Sequence, residues 1–396
     1  MKFITDLNAL QKSVNKLMMI LPQKSTIPVL EHFYFWLEGN TLKIIASDRD
    51  VTLMTVTEVE SSEDGKVLIP GKRLSDLIKS YSSNQKVEIK VNFENFDVTI
   101  KIGDGKFKLK GLDAEEYSSI PDLFETERPD LSNLEQENNL IDGTKFIYIT
   151  KDELGKLCNK TFFAVSDDEY RPAMTGVLFQ FRETHINAVA TDSYRLARST
   201  VRFEKLNKIN DSDVILPSKS IDFLRKIDED EILLSMIETQ GKTTHLRFDI
   251  GNTIFVSKVI EERFPPYEQV IPKDNPYILI VDRSLLLNKL KPLGSLVNKK
   301  VNQIKMLIAN NQLSLMFNDD ETGSTGMEVL NCEFNKDSFE LAYNMKFLED
   351  AISNIGENDT TDNLIKITFS EPNRPTLILP NTENDDLLML VMPVRI

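Results

Sequence analysis

The hydrophobic pattern of the chain changes between helical and strand-like spacing, and the change recurs along its length. Leu10, Val14 and Leu17 have the three- to four-residue spacing of an amphipathic helix. Further along, Ile44 and Ile45 belong to a short apolar run that ends in an acidic residue. The start of the chain therefore predicts a helix followed by strands with one buried face.

The same order of elements returns in the second part of the chain. A helical pattern from Leu154 to Phe163 again precedes an apolar strand pattern. A proline and an aspartate bracket this region 20 positions apart in both copies, as Pro28 and Asp48 and as Pro172 and Asp192. Equal spacing in the same order indicates an internal repeat.

A third copy keeps the order less strictly. It contains a predicted helix from Ser284 to Leu296, and each copy has a second predicted helix followed by alternating strands. We predict three copies of one α+β domain whose helices cover one face of mainly antiparallel sheet. The predicted domains are residues 1–122, 146–272 and 273–396, and a polar, acidic surface linker occupies 123–145.

Composition limits the class of protein. Hydrophobic residues make up 41% of the 396 positions, and the sequence lacks the roughly 20-residue apolar stretch of a membrane helix. The start of the chain does not resemble a signal peptide. Only Cys158 and Cys332 are present, which predicts buried, inert thiols and a cytoplasmic location.

The sequence offers no catalytic, cofactor or metal motif. His32, His185 and His245 fall in or beside strand patterns, where packing explains them. The pair Gly103 and Gly105 fits a hairpin turn better than a nucleotide-binding loop. Adjacent carboxylates such as Asp167 and Asp168 are typical of a solvated loop. We therefore expect a protein that is not an enzyme and needs no cofactor.

Basic residues concentrate on the predicted helices although the net charge is -15. Such a distribution would place the excess acid on strands and loops, and a lysine-lined surface would hold nucleic acid through phosphates without reading sequence. The alternative, that these lysines only solvate helix faces, stays open. The basic residues of these regions that are predicted to face DNA are Lys12, Lys16, Lys72, Arg73, Lys79, Lys156, Lys160, Lys219, Arg225, Lys299 and Lys300.

Three motifs give the chain a family resemblance. They are the segment from Ala190 to Ala197, the segment from Ser257 to Pro265 and the ending Val391 to Ile396. Together with the repeats they resemble the bacterial sliding clamp, the beta subunit of the replicative DNA polymerase III, over the whole chain. The resemblance implies three repeated DNA-clamp domains, with helices lining an inner surface and antiparallel sheets outside, in a ring-shaped homodimer around duplex DNA.

The resemblance also implies a pocket for short linear peptides between the second and third domains. Its residues would be Met174, Thr191, Ser193, Tyr194, Arg195, Leu196, Pro265, Gln269, Val270, Asn344, Pro375, Leu390, Val391, Met392, Pro393, Val394 and Arg395. Apolar members would take hydrophobic anchors while Arg195 and backbone groups orient them. The chain has Ser193-Tyr194 where the family often has Gly-His, and its linker is longer than usual.

The remaining implied sites concern the dimer and the DNA. Lys106, Phe107 and Leu109 on an edge strand would meet Leu296 and Val297 of the partner subunit's third domain. Lys106 and Lys108 could pair with Asp319, Asp320 and Glu321. Lys24 matches a basic DNA-contacting position, and Arg171 lies in a loop expected to face the hole.

The implied partners are double-stranded DNA, bound without sequence preference, a second copy of the chain, a clamp loader, and the replicative polymerase and repair proteins through their peptides. No membrane partner is expected. A second hypothesis is an adaptor that keeps the peptide pocket without closing into a ring. A third hypothesis is a hydrolase or lyase.

Overall fold

The structure is a computed structural model of the chain and describes residues 1–82, 84–117, 124, 146–203, 211–297, 302–319 and 321–395. Apart from Phe124, the predicted linker 123–145 lies outside the described residues, as do Lys299, Lys300 and Asp320. Among the helices that are described, none is long and apolar enough to cross a membrane.

In its described residues the first repeat contains two α-helices and nine strands. Asp6 caps the first helix by accepting a hydrogen bond from the Asn8 amide at 2.7 Å, and Leu7, Leu10, Val14 and Leu17 form its buried stripe. In chain order the elements are β1 Lys2–Asp6, α1 Leu7–Met18, β2 His32–Glu38, β3 Thr41–Ser47, β4 Val51–Glu58, β5 Glu60–Glu63, β6 Gly65–Pro70, α2 Gly71–Lys79, β7 Lys86–Asn92, β8 Asp97–Ile102 and β9 Gly105–Lys110.

The second repeat follows the same plan. Its elements are β10 Phe146–Thr150, α3 Lys151–Asn159, β11 Gly176–Phe181, β12 His185–Thr191, β13 Arg195–Arg202, β14 Ser212–Pro217, α4 Ser218–Leu224, β15 Glu231–Thr239, β16 Lys242–Ile250 and β17 Thr253–Lys258. Lys160 and Arg225 therefore lie just beyond the helices predicted to carry them.

The third repeat closes the chain. Asp282 and Asn344 cap its two helices by accepting hydrogen bonds from the amides of Leu285 and Phe347, at 2.7 and 3.3 Å. Its elements are β18 Tyr277–Asp282, α5 Arg283–Gly294, β19 Gln303–Ala309, β20 Gln312–Asp319, β21 Ser324–Asn331, β22 Glu333–Phe334, β23 Ser338–Asn344, α6 Met345–Ser353, β24 Leu364–Phe369, β25 Thr376–Pro380 and β26 Leu387–Val391.

The order strand, helix, strands, helix, three strands thus occurs three times, and every strand pair is antiparallel. The predicted α+β class and threefold repeat are confirmed. Gly103, with a φ of 56°, forms the β8–β9 hairpin turn expected of it.

Hydrogen-bonded strands join neighbouring repeats into continuous sheets. The chain divides into two compact units. One contains residues 1–151 and 227–259, and the other contains residues 152–226 and 260–396. In the first unit β17 pairs with β4, which makes an eight-stranded sheet. In the second unit β13 pairs with β26, which makes a nine-stranded sheet. The second repeat is divided because its strands belong to two continuous sheets.

Candidate partner-binding site

A tight turn between β12 and β13 forms the centre of the candidate site. The Asp192 carboxylate accepts hydrogen bonds from the amides of Tyr194 and Arg195, both at 2.9 Å. The Thr191 hydroxyl donates to the Arg195 carbonyl at 2.7 Å. These bonds satisfy the backbone of the turn internally and fix its conformation.

The turn lies at the end of an apolar cluster in the second unit. Leu196, Leu390, Phe264, Tyr267 and Leu377 are buried in this cluster, which also includes Leu178, Val189, Ile215 and Leu388. Met392 and Ala173 pack against it while keeping part of their surface exposed. Chain segments far apart in sequence therefore share one hydrophobic floor, which is the kind of surface that holds apolar peptide side chains.

The predicted pocket residues divide by burial. Met174, Thr191, Arg195, Leu196, Leu390 and Val391 are buried; Pro265, Asn344, Pro375, Met392, Pro393 and Val394 are half-buried; Ser193, Tyr194, Gln269, Val270 and Arg395 are exposed. Tyr194 and Val270 are large side chains with 61% and 52% exposure. The buried residues form a floor, and the exposed ones are available to a ligand.

The last strand belongs to the core of the second unit and leads directly to the turn. β26 is fully buried and pairs with β13 and β25. The chain after it continues beside the turn, because the Met392 amide donates to the Tyr194 carbonyl at 2.8 Å. The Val394 amide then bonds to the Ala342 carbonyl at 2.8 Å.

Arg195 differs from its predicted role. Its Nε donates to Asp192 Oδ2 at 3.0 Å and its Nη1 donates to Asp350 Oδ2 at 2.6 Å. The guanidinium also lies 4.5 Å from the ring centre of Phe347 and 5.3 Å from that of Phe163. Because the side chain is buried and its charge is already paired, Arg195 stabilises the turn and α6 rather than offering a free cation to a ligand.

Sequence reasoning missed Phe347, Asp350 and Phe163. Phe347 stacks on Tyr194 with ring centres 6.1 Å apart and an interplanar angle of 27°. The sequence held one signal for it, since Phe347 lies three residues after the predicted pocket residue Asn344, on the adjoining helical turn.

The predicted DNA-facing cations fall into two groups. Within the described part of the chain, exposed members without an ion-pair partner are Lys12, Lys24, Lys72, Arg73, Lys79 and Lys156. Others are already paired: Lys16 with Glu229, Lys160 with Asp359 at 2.6 Å, and Arg225 with Asp222 at 2.7 Å. Arg171 is also paired, with Asp168 at 2.8 Å, and Lys219 is exposed on α4.

β9 and β21 each have one side unpaired in the described sheets. The predicted dimer residues lie on or near these strands. β9 ends the five-stranded sheet and alternates exposed Lys106 with half-buried Phe107 and Leu109. β21 ends the four-stranded sheet and exposes 63% of Met327, which the sequence analysis did not identify.

Two details within the chain bear on the predicted interface, which stays a prediction. Val297 is only 8% exposed because it packs inside its own unit, so Leu296, at 57%, is the available member of that pair. Lys108 is paired with Asp97 at 2.6 Å, and the Asp319 carboxylate accepts bonds from Glu321 and Thr322. These two charges already have partners within their own units.

Burial in the fold explains the shifted pKa values of two cysteine and two histidine side chains. Burial raises the pKa of the Cys158 thiol far above its usual range and that of Cys332 to about 11, so both thiols stay protonated, as predicted. Burial also lowers the pKa of His185, helped by Arg202, and that of His245, helped by Lys258. Among the described residues, no three His, Cys, Asp or Glu side chains gather as metal ligands would.

Comparison with known proteins decides the family. Three family models match in order: the N-terminal domain of the DNA polymerase III beta subunit at residues 1–121, its central domain at 148–266 and its C-terminal domain at 268–395. The chain belongs to the DNA polymerase III beta subunit family. This beta subunit is accordingly a sliding clamp, a non-catalytic processivity factor, and the sequence resemblance is confirmed.

Individual relatives agree over the full length. The beta sliding clamp of Pseudomonas putida is 26% identical over 398 aligned positions that cover 100% of both chains. The DNA polymerase III subunit beta of Pseudomonas aeruginosa matches with a TM-score of 0.87 and 25% identity, again over 100% of both chains. A sliding clamp of Pseudomonas aeruginosa bound to griselimycin matches with a TM-score of 0.86, 26% identity and the same coverage.

Proposed function

We propose that this beta subunit encircles duplex DNA as a head-to-tail homodimer and tethers other replication proteins through the pocket beside the 191–195 turn. The observation that carries the pocket is the apolar floor around Leu196 and Leu390, bordered by the exposed side chains of Tyr194 and Val270. An apolar floor with a few polar groups at its border is the usual form of a peptide or small-molecule site.

The relative solved with griselimycin supports a ligand site on this fold, although the contacts of that ligand belong to the other protein. We propose that short linear peptides of the replicative polymerase, the clamp loader and repair proteins occupy the site here. Their apolar side chains would rest on the floor, and Arg195 would act indirectly by holding the turn in place.

The DNA surface is supported by the distribution of unpaired charge. Lys12 projects from α1, Lys72, Arg73 and Lys79 from α2, and Lys156 from α3, all of them exposed. The clamp-family fold repeats these helices in each copy. Lysines on helices can contact phosphates of any sequence, which suits a protein that must slide.

The dimer is supported by β9 and β21, whose unpaired backbone groups could continue a sheet from one subunit into the next. We also propose the division into domains 1–122, 146–272 and 273–396 with the linker 123–145, supported by the three family matches. A cytoplasmic location follows from the replication role.

Topological attachment is the direct test of the ring. After treatment with a clamp loader, we expect the protein to elute with nicked circular DNA in gel filtration and to be lost when the same DNA is cut once. The closed ring, and not the affinity for DNA, would retain the protein on the circle. Cutting the circle should therefore release the protein even at low salt.

Failure on circular DNA, with a monomer in sedimentation at micromolar concentration, would favour the adaptor hypothesis. In that case griselimycin or a polymerase peptide would still bind, because the pocket lies within one unit of a single chain.

Charge reversal tests the DNA-facing assignment. Lys72→Glu should reduce the slope of log affinity against log salt by about one, because one phosphate contact is lost. The matched control is Lys242→Glu, which changes the charge equally at an exposed position on β16. Binding of each variant to duplex DNA is measured by fluorescence anisotropy from low to moderate salt. Equal slopes for the two variants would count against a DNA contact at Lys72.

A further inference from the structure

The 191–195 turn contains a backbone conformation that its residue does not favour. Ser193 has a φ of 79°, in the left-handed region where glycine is at ease and other residues are strained. The carboxylate of Asp192 and the hydroxyl of Thr191 satisfy the amides around it. Those bonds fix the turn, but they do not use the Ser193 side chain.

The Ser193 hydroxyl is held from outside the turn. Arg171 Nη1 donates to Ser193 Oγ at 2.8 Å. The same hydroxyl points towards the sulfur of Met174, 4.0 Å away, which is a floor residue of the pocket. A glycine at this position would have neither contact. The serine therefore connects the turn to the segment from Arg171 to Met174.

Arg171 is itself held in place. Its Nε donates to Asp168 Oδ2 at 2.8 Å, and the Asp168 backbone and side chain accept bonds from the amides of Arg171 and Tyr170. The Met174 amide donates to the Arg171 carbonyl at 2.9 Å. An arginine fixed at both its backbone and its guanidinium can position a third group with little loss of entropy.

The position of Ser193 affects the next residue in the turn, Tyr194. Tyr194 is 61% exposed, its ring stacks on Phe347, and its carbonyl accepts the Met392 amide at 2.8 Å. The direction of the Tyr194 side chain depends on the Ser193 backbone before it. A ring that is stacked on one side and exposed on much of its surface can contact a planar or apolar side chain of a ligand.

We propose that Arg171 is a positioning residue of the partner pocket, which holds the turn through Ser193 so that Tyr194 presents its ring to the bound peptide. This role rests on the proposed function of the pocket. It also gives Arg171 a task within the protein that differs from the DNA contact expected from sequence. Tyr194 would select a ligand that carries a second apolar or aromatic side chain, next to the ligand side chain that rests on the floor.

Fluorophore-labelled griselimycin is the probe, and its affinity is measured by anisotropy for single and double variants. Arg171→Ala and Ser193→Ala should each weaken binding by about five- to tenfold, the loss typical of one intramolecular hydrogen bond. The double variant should bind no more weakly than either single variant, because both remove the same bond. Tyr194→Ala should lose about tenfold in affinity, since the proposal assigns the ligand contact to this ring.

The Ser193→Gly background separates positioning from a general structural effect. Glycine adopts the left-handed φ without strain, so the turn no longer needs Arg171. We expect Arg171→Ala to change affinity by less than about twofold in this background. Equal losses from Arg171→Ala in the parent and in the Ser193→Gly background would overturn the proposal, and so would an unchanged affinity of Arg171→Ala in the parent.

The pocket itself is tested separately with Met392→Asp, which places a charge on the apolar floor. If griselimycin fails to bind the parent, or binds Met392→Asp equally well, the proposed function fails. If Met392→Asp abolishes binding while Arg171→Ala leaves it unchanged, only the role of Arg171 fails. A loss of DNA retention in Arg171→Ala without a loss of griselimycin affinity would likewise assign Arg171 to DNA and overturn its positioning role.

Discussion

Arg195→Ala should lower the free energy of unfolding of the second unit by about 3–5 kcal/mol and abolish measurable partner binding. The guanidinium is buried between the carboxylates of Asp192 and Asp350 and over the ring of Phe347. Its removal leaves the carboxylates of Asp192 and Asp350 without the cation they share. The turn and α6, which it joins, would separate, and Tyr194 would lose the surface on which it stacks.

A neighbouring arginine supplies the control. Arg202 lies on the same strand and also pairs with two carboxylates, Asp385 and Asp386, both at 2.7 Å, but its side chain is largely exposed. Exposed pairs contribute about 0–1 kcal/mol, so Arg202→Ala should change stability little. The free energies of unfolding of Arg195→Ala and Arg202→Ala are compared by chemical denaturation, with circular dichroism as the signal. Equal and small losses would mean that Arg195 does not hold the turn to α6.

The sequence predicted the repeated elements because their causes are local. The buried stripe of α1 and the period of two in β7 and β8 depend on residues within a few positions of one another. Such patterns are visible without a structure. The confirmed α+β class followed from them directly.

The sequence could not predict which charges are free. Lys16 and Lys12 look alike on one helix, yet Lys16 pairs with Glu229, 213 positions away, and Lys12 has no ion pair within the described residues. Arg195 similarly depends on Asp350, 155 positions away. Partners at such distances are brought together only by sheet pairing across the repeats. A motif therefore predicts which residues belong to the pocket but not the role of each.

The proposed dimer would use strand edges that are left unpaired within the described part of each compact unit. β9 and β21 each leave one side of the strand without a partner in the described sheets, and both carry apolar side chains there or nearby. Natural proteins normally protect such strands, because free edges promote aggregation. Exposed Lys106 on β9 disfavours pairing with a second basic edge, whereas an edge of opposite charge would be accepted.

Leu109→Glu and Met327→Glu should each raise the dimer dissociation constant by at least about 100-fold, because each places a charge in an apolar contact that closes away from water. Sedimentation velocity over a concentration series measures the shift, and the fluorescence of Trp36, the only tryptophan, reports whether the first unit remains folded. Leu307→Glu is the matched control, since Leu307 is exposed in the same sheet as Met327 but lies on β19, an interior strand. The control should stay dimeric, and both edge variants should lose retention on nicked circular DNA together with their dimer. A dimer that survives both edge substitutions would place the subunit contact elsewhere, and the head-to-tail arrangement would have to be abandoned.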